Sequence, residues 1–153
     1  MSDIYTMPGH LIRRLQQISA SVFAEHMKTL GADMTSPQFA ALAMLQQHRH
    51  IDQATLASLI AYDRATIGGV VDRLVSKGFV ERRINPQDRR AKVLTLTAEG
   101  EAILSLLAPV VEESQTKILT GLTGAERQEF IRLASKVTKA GGALSPAPLN
   151  PTD

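Results

Sequence analysis

Apolar residues recur at helical spacing through residues 8–47. Between residues 8 and 30 they occur every three or four positions, at Leu11, Leu15, Ile18, Val22, Phe23 and Met27. This spacing predicts one long amphipathic helix that ends near Gly31. Ser36-Pro37, a helix cap followed by proline, predicts a second helix through about Gln47.

The next two helices are short and close together. Asp52 can cap a helix that contains Leu56 and Ile60, and Asp63 can cap another from about Arg64 to Lys77. Gly78 follows as a helix stop. Two short helices separated only by Ala61-Tyr62 indicate a helix-turn-helix.

The pattern then changes to that of strands. Residues 79–84 and 93–96 are β-prone, and the turn opener Asn85-Pro86 lies between them. Thr97 is expected to cap a long helix toward Thr120, which Pro109 should kink or divide. A capping box at residues 123–126 opens a last helix that ends at Gly141-Gly142.

These elements predict a mainly α, α+β winged helix-turn-helix with a two-stranded wing. The winged helix spans residues 35–97, between helical regions at 1–34 and 98–141. The proline-containing tail, residues 142–153, is predicted to be disordered. Apolar helix surface at both chain ends exceeds what one chain can bury, which indicates a partner.

Composition narrows the function. The chain has no cysteine, which excludes disulfides, thiolate metal sites and cysteine nucleophiles. We find neither a membrane span nor a signal-peptide pattern, so we expect a cytoplasmic protein with no membrane partner. No catalytic constellation or cofactor motif is recognisable, so we predict no enzyme and no cofactor. The pair His48 and His50 has only Asp52 as a third metal ligand, and no metal site is predicted.

Positive charge is concentrated in one segment. Residues 61–92 hold eight basic and four acidic residues, a net charge of +4 in a chain of +2, so the remainder carries −2. Such asymmetry indicates either a polyanion-binding surface or a solvated face. Arg89 and Arg90 fall at the tip of the predicted hairpin, where arginines can enter a narrow minor groove. Asp88 can hold this turn by pairing with Arg90 or Arg83.

The sequence from Leu56 to Gly100 resembles the core of MarR-type transcriptional regulators, and flanking helices extend the resemblance over about residues 8–140. The matching pieces are Leu56-Ala57, Thr66, Val71-Asp72-Arg73-Leu74, Lys77-Gly78-Phe79-Val80, Arg82, Asp88-Arg89-Arg90 and Leu96-Thr97 with Gly100. The resemblance implies a homodimer in which the first and the last two helices intertwine. It also implies a double-stranded, pseudo-palindromic operator, repression, and release by a small phenolic or aromatic acid.

Carried over by position, the recognition helix is residues 63–77. Arg64 and Thr66 in its first turn are the candidates for base edges. Gln53, Thr55 and Arg73 are candidate phosphate contacts or structural residues, and Arg73 has the alternative of pairing with Asp72 or Glu81. Lys77 and Lys92 are interpreted as solvated, long-range charges. Gly68-Gly69 departs from the bulkier residues usual in the family, and indicates close approach to DNA or tolerated local weakness.

The family places a ligand pocket between the dimer helices and the winged helix, lined from the first, second and fifth helices. An aromatic carboxylate needs a cation or imidazole at one end and apolar walls around its ring. The candidates are Tyr5, Thr6, His10 and Arg14, with Phe39 and Met44 opposite. His10 has the alternative of a solvated residue, and Phe39 that of ordinary core. Two other functions stay open: a ligand-insensitive architectural DNA binder, and a winged helix that binds protein.

Overall fold

The computed structural model describes residues 3–60 and 64–144, excepting the side chains of Arg64 and Ala143. Its described residues form six α-helices: α1 (Pro8–Leu30), α2 (Ser36–Gln47), α3 (Gln53–Leu59), α4 (Arg64–Ser76), α5 (Ala98–Ile118) and α6 (Gly124–Ala140). Three strands complete the fold: β1 (Ile51–Asp52), β2 (Val80–Ile84) and β3 (Lys92–Leu96). A 3₁₀ turn precedes α1 (Ile4–Thr6), and another follows α6 (Gly141–Leu144).

The mainly α winged helix-turn-helix is therefore confirmed, but its sheet is larger than predicted. β1 pairs antiparallel with β3, so the sheet has three strands in the order β1-β3-β2 rather than two. A two-residue strand is too short to show an alternating pattern, and it lies directly before the Asp52 cap of α3. In the wing, β2 and β3 pair from Val80 with Leu96 to Ile84 with Lys92.

Helix ends follow local chemistry with small shifts from the predicted positions. Thr35, not Ser36, is the N-cap of α2, in a capping box with Gln38. Asp52 caps α3 through a hydrogen bond from the Thr55 amide at 2.7 Å. Gly78 ends the turn after α4 with φ of 77°, a conformation that suits glycine. The predicted Asp63 cap lies outside the described residues.

The core lies between the second half of α1, helices α2 to α4, the sheet and the first half of α5. Its largest fully buried apolar side chains are Leu42, Leu45, Leu56, Ile67, Val71, Leu74, Leu94 and Leu107. Val22, Phe23 and Met27 of α1 are buried there, whereas Leu11 and Ile18 remain exposed. The apolar stripe of α1 is thus only half covered within one chain.

The C-terminal helices also leave apolar surface uncovered. Pro109 lies inside α5 and does not divide it. α6 begins with the predicted Thr123–Glu126 capping box, yet none of its residues is buried. Residues 142–144, predicted to belong to the disordered tail, lie in the 3₁₀ turn, and the remaining tail is outside the described residues. No helix in the described ranges is long and apolar enough to cross a membrane.

Candidate DNA-binding surface

The outer face of α4 is exposed along its whole length. Its apolar residues Ile67, Val70, Val71 and Leu74 are buried in the core. Because a helix repeats every 3.6 residues, this anchors one side and presents the other, which carries Thr66, Gly69, Asp72 and Arg73, to solvent. The helix face that carries Thr66 is therefore exposed, as the predicted recognition helix requires. The Arg64 side chain lies outside the described part of the chain.

The alternative pairing of Arg73 is wrong. Asp72 accepts a hydrogen bond from Arg82 at 2.7 Å, and Glu81 accepts one from Arg83 at 2.9 Å. Arg73 has an exposed guanidinium that pairs with neither acid and with none of the other described carboxylates. The Asp72–Arg82 bond also joins the first wing strand to the recognition helix, a role for Arg82 that was not predicted.

The wing tip is a β-turn with the two arginines at its centre. Ala91 donates its amide to the Asp88 carbonyl at 3.0 Å, which closes the turn around Arg89 and Arg90. The Asp88 carboxylate accepts the Arg90 backbone N–H at 3.0 Å. This is how aspartate stabilises a turn in its first position. Asp88 thus holds the wing through a backbone amide, and the expected ion pair with Arg90 or Arg83 is wrong.

A cleft of about 380 Å³ separates the wing tip from the helix-turn-helix. Asp52, Gln53 and Ala54 line one side, and Asp88, Arg90 and Lys92 line the other. Arg89, Arg90 and Lys92 are exposed and form no ion pair within the described residues. With Arg73, they make four cations on this surface that pair with none of the described carboxylates.

Gln53 lies against the recognition helix. Its Nε2 is 3.8 Å from where a Cβ on Gly68 would stand, and its Oε1 is buried without a hydrogen-bond partner among the described residues. A Cβ on Gly69 would meet no atom within 4 Å. Packing within the chain therefore requires neither glycine. Thr55 is half-buried, and its amide is already used by the Asp52 cap.

The residues that follow the recognition helix form hydrogen bonds with two other parts of the chain. Lys77, interpreted from sequence as solvated, donates to the Gln38 side chain at 3.0 Å and to the Asp33 carbonyl, and its side chain is only 23% exposed. The Phe79 carbonyl accepts the Thr97 amide at 3.1 Å. Because Asp33 is 44 residues from Lys77, no local pattern could reveal this contact.

The same junction fixes the start of α5. The Thr97 hydroxyl donates to the Gly78 carbonyl at 2.6 Å, and accepts the Gly100 amide at 3.0 Å as the helix cap. A Cβ on Gly100 would stand 2.1 Å from the Phe79 carbonyl oxygen, so only glycine fits there. The recognition helix, the wing and α5 therefore meet at one hydrogen-bonded point.

The predicted ligand residues fall into two separate groups. Tyr5, Thr6, His10 and Arg14 lie near the start of the chain. Tyr5, Thr6 and Arg14 are exposed, and His10 is half-buried, with its ring edge-on to that of Tyr5 at 5.6 Å. Phe39 and Met44 pack against the core, with Phe39 at 6.1 Å from Phe23. At 1.5 Å per residue, His10 lies about 20 Å along α1 from Phe23. One chain does not bring the two groups together.

The two histidines considered for a metal occupy a turn. His50 has a φ of 59°, and its Nδ1 lies 3.3 Å from the Thr95 hydroxyl. His48 is the C-cap residue of α2. In the described ranges no three His, Asp or Glu residues are grouped as a metal site requires.

The buried core under α2, α3 and α4, the exposed outer face of α4 and the basic wing define a winged-helix protein of the DNA-binding class. A sequence model of the MarR family matches residues 34–92. The transcriptional repressor NicR of Pseudomonas putida is 31% identical over 135 residues, 88% of this chain and 84% of NicR. The chain belongs to the MarR family, whose members are transcriptional regulators and are not known as enzymes, as predicted.

Solved structures agree over nearly the whole chain. BpsR of Bordetella bronchiseptica, whose DNA binding is regulated by 6-hydroxynicotinic acid, has a TM-score of 0.82 at 28% identity and covers 90% of this chain and 97% of its own. A mutant of MarR from Escherichia coli, solved with operator DNA, has a TM-score of 0.77 at 31% identity, with coverages of 89% and 99%.

Proposed function

We propose that this protein is a homodimeric cytoplasmic repressor that binds a pseudo-palindromic operator and is released by a small aromatic or phenolic acid. The observation that carries the DNA-binding part is the exposed α4 face beside a wing whose Arg89 and Arg90 form the centre of a β-turn. A wing that docked on protein would have no need of two unneutralised arginines there. MarR solved with operator DNA supports the same role.

The uncovered helix surfaces support a second copy of the chain as the partner. Ile131, Leu133 and Val137 of α6 are 46–65% exposed, and Ile12 of α1 is 62% exposed. An isolated 17-residue helix without buried residues is marginal in water. Intertwining α1, α5 and α6 of two chains would bury these residues and set the two recognition helices one DNA turn, about 34 Å, apart.

A dimer also supplies what the predicted effector site lacks. Because His10 lies about 20 Å along α1 from Phe23, on which Phe39 packs, we assign the two halves of that site to different chains. The guanidinium of Arg14 would bind the carboxylate, and the apolar side chains would cover the ring. The regulation of BpsR by 6-hydroxynicotinic acid supports an aromatic acid as the effector class.

The test is a footprint on the DNA beside the protein's own gene. We expect protection of one two-fold symmetric site, because two identical recognition helices contact two half-sites. Addition of 6-hydroxynicotinic acid and related aromatic acids should then release the protection. Absence of protection at low salt would contradict the repressor, and protection that no aromatic acid relieves would favour the ligand-insensitive DNA binder.

A further inference from the structure

Ile84, at the end of the first wing strand, is the one exposed large apolar side chain among the described residues of the winged helix. It is 65% exposed, whereas every other exposed large apolar side chain in the described ranges lies at residues 4–30 or 106–144. Those two regions are the helical parts that a second chain is expected to cover, so dimerisation does not account for Ile84. A single exposed isoleucine is common on protein surfaces, and its surroundings therefore decide what it can bind.

Ile84 lies on the face of the wing that contacts the recognition helix. β2 pairs with β3 at Arg82 with Leu94 and at Ile84 with Lys92. Because paired residues and alternate residues of a strand point to the same face, Ile84 shares its face with Arg82 and Lys92. Arg82 bonds to Asp72 of α4 at 2.7 Å, so this face adjoins the exposed side of the recognition helix.

Cations border Ile84 on the side of the wing tip. Lys92, its partner across the hairpin, is exposed and forms no ion pair within the described residues. Arg90 follows two residues beyond Lys92, in the tip that the bond of 2.9 Å from Asn85 to Ala91 closes. An apolar side chain beside an unpaired ammonium fits a surface on which anionic and apolar groups alternate. The sugar–phosphate strand of DNA is such a surface, whereas an apolar protein surface would desolvate the cations without pairing them.

We propose that Ile84 packs on a deoxyribose of the DNA strand that separates the major groove from the minor groove, while Lys92 binds the neighbouring phosphate. This inference rests on the proposed function. With α4 in the major groove and Arg90 at the minor groove, the middle of the wing crosses the strand between them. Ile84 lies in that middle, because it is two residues from Arg82, and Arg90 is two residues beyond Lys92, about 7 Å of strand in each direction. Ile84 is thus a positioning residue, since backbone contacts set the register of the wing without reading bases.

The direct test is a hydroxyl-radical footprint of the full chain on the promoter DNA beside its gene. The radical cleaves DNA by taking hydrogen from deoxyribose, so a covered sugar is protected. At saturating protein, we expect Ile84→Ala to restore cleavage at about one or two sugars in each half-site and to leave the rest of the footprint unchanged. Arg83→Ala is the matched control, because Arg83 lies next to Ile84 on the opposite face and pairs with Glu81 at 2.9 Å. It should restore cleavage at no sugar.

Affinity separates an apolar contact from a charge contact. Ile84→Ala should weaken operator binding by about ten- to twenty-fold, the effect of about one methylene-sized group less buried in each chain of a dimer. The factor should be the same at every salt concentration, because no phosphate contact is lost, whereas Lys92→Ala should lower the slope of log K against log salt by about 2. Ile84→Thr keeps the branched side chain that strands favour, and gives the same test if Ile84→Ala weakens the hairpin.

Three results would each overturn the contact: a sugar footprint of Ile84→Ala equal to that of the wild type, an equal affinity, or a loss of affinity with a lower salt slope. The first two would make a protein the occupant of this patch, and the third would make Ile84 a support for Lys92. In all three the wild type still protects the operator. Failure of the repressor is distinguishable, because the wild type itself would then protect no DNA.

Discussion

The most demanding prediction concerns Gly100→Ala at the junction of the recognition helix, the wing and α5. The new Cβ would stand 2.1 Å from the Phe79 carbonyl oxygen and 2.9 Å from the Leu96 side chain. Carbon–oxygen contacts in proteins settle near 3.3 Å, so the carbonyl or the helix must move by about 1 Å. That carbonyl accepts the Thr97 amide at 3.1 Å, and the movement breaks or bends this bond.

The cost is the sum of two effects. Overpacking of a close-packed site costs about 1–3 kcal/mol, and loss of a backbone hydrogen bond adds about 1 kcal/mol. We therefore expect Gly100→Ala to lower the free energy of unfolding by about 2–4 kcal/mol. For a chain of this size, that lowers the Tm by about 4–16 °C at a fixed protein concentration.

Urea and thermal unfolding followed by circular dichroism measure this effect. Gly69→Ala is the matched control, because the same methyl group there enters open space in an exposed helix. It should raise the free energy of unfolding by about 1 kcal/mol, from the poor helix propensity of glycine. Equal stability of Gly100→Ala and the wild type would refute the close contact at the junction.

The remaining predictions concern DNA recognition and the last helix. Gly69→Ala, although more stable, should bind operator less tightly if the α4 backbone approaches DNA closely; unchanged affinity in a gel-shift titration would mean that Gly69 is only a tolerated weakness. Arg64→Ala should relax base preference, and a uniform loss on all DNA would make Arg64 a phosphate contact. Hydrogen bonds from Thr123 lower the pKa of Glu126 below its ordinary 4.5. The stability that the Glu126 carboxylate confers by accepting the Thr123 amide should therefore be present at neutral pH and fall as pH drops through that lowered value, so that Glu126→Ala and the wild type converge in acid urea melts.

Local signals predicted most of the fold. Asp52, Thr97 and the Thr123–Glu126 box act through hydrogen bonds within three residues, so the sequence alone reveals them. The β1 strand and the Pro109 helix could not be predicted in the same way. A two-residue strand has no period, and tertiary packing holds α5 together across the proline.

The sequence predicted which residues form the candidate DNA-binding surface better than it predicted the contacts between them. The turn signal placed Arg89 and Arg90 at the wing tip. The partners were not predicted: Asp72 on α4 accepts from Arg82 on the wing strand, and Glu81 and Asp88 accept from Arg83 and from the Arg90 amide, two residues away in each case. The Lys77–Asp33 contact joins residues that the chain separates by a helix-turn-helix. Whether the two halves of the predicted effector site meet depends on a second chain, and the sequence of one chain does not show how two chains pack together.

The central claim is that the exposed cations of α4 and the wing bind the DNA backbone. Four unneutralised cations per chain would give about eight phosphate contacts in a dimer, and a slope of log K against log salt near −7. Affinity should then fall by about 10⁴-fold between 50 and 200 mM salt.

The decisive measurement compares this slope, on the protected promoter DNA, for the wild type and for Arg90→Ala. Loss of one contact per chain should reduce the slope by about 2 and weaken binding, while the urea midpoint stays unchanged because Arg90 is exposed. Arg89→Ala, measured alongside, shows which arginine makes the larger contact. A wild-type slope near zero, or an Arg90→Ala protein that binds like the wild type, would contradict the claim.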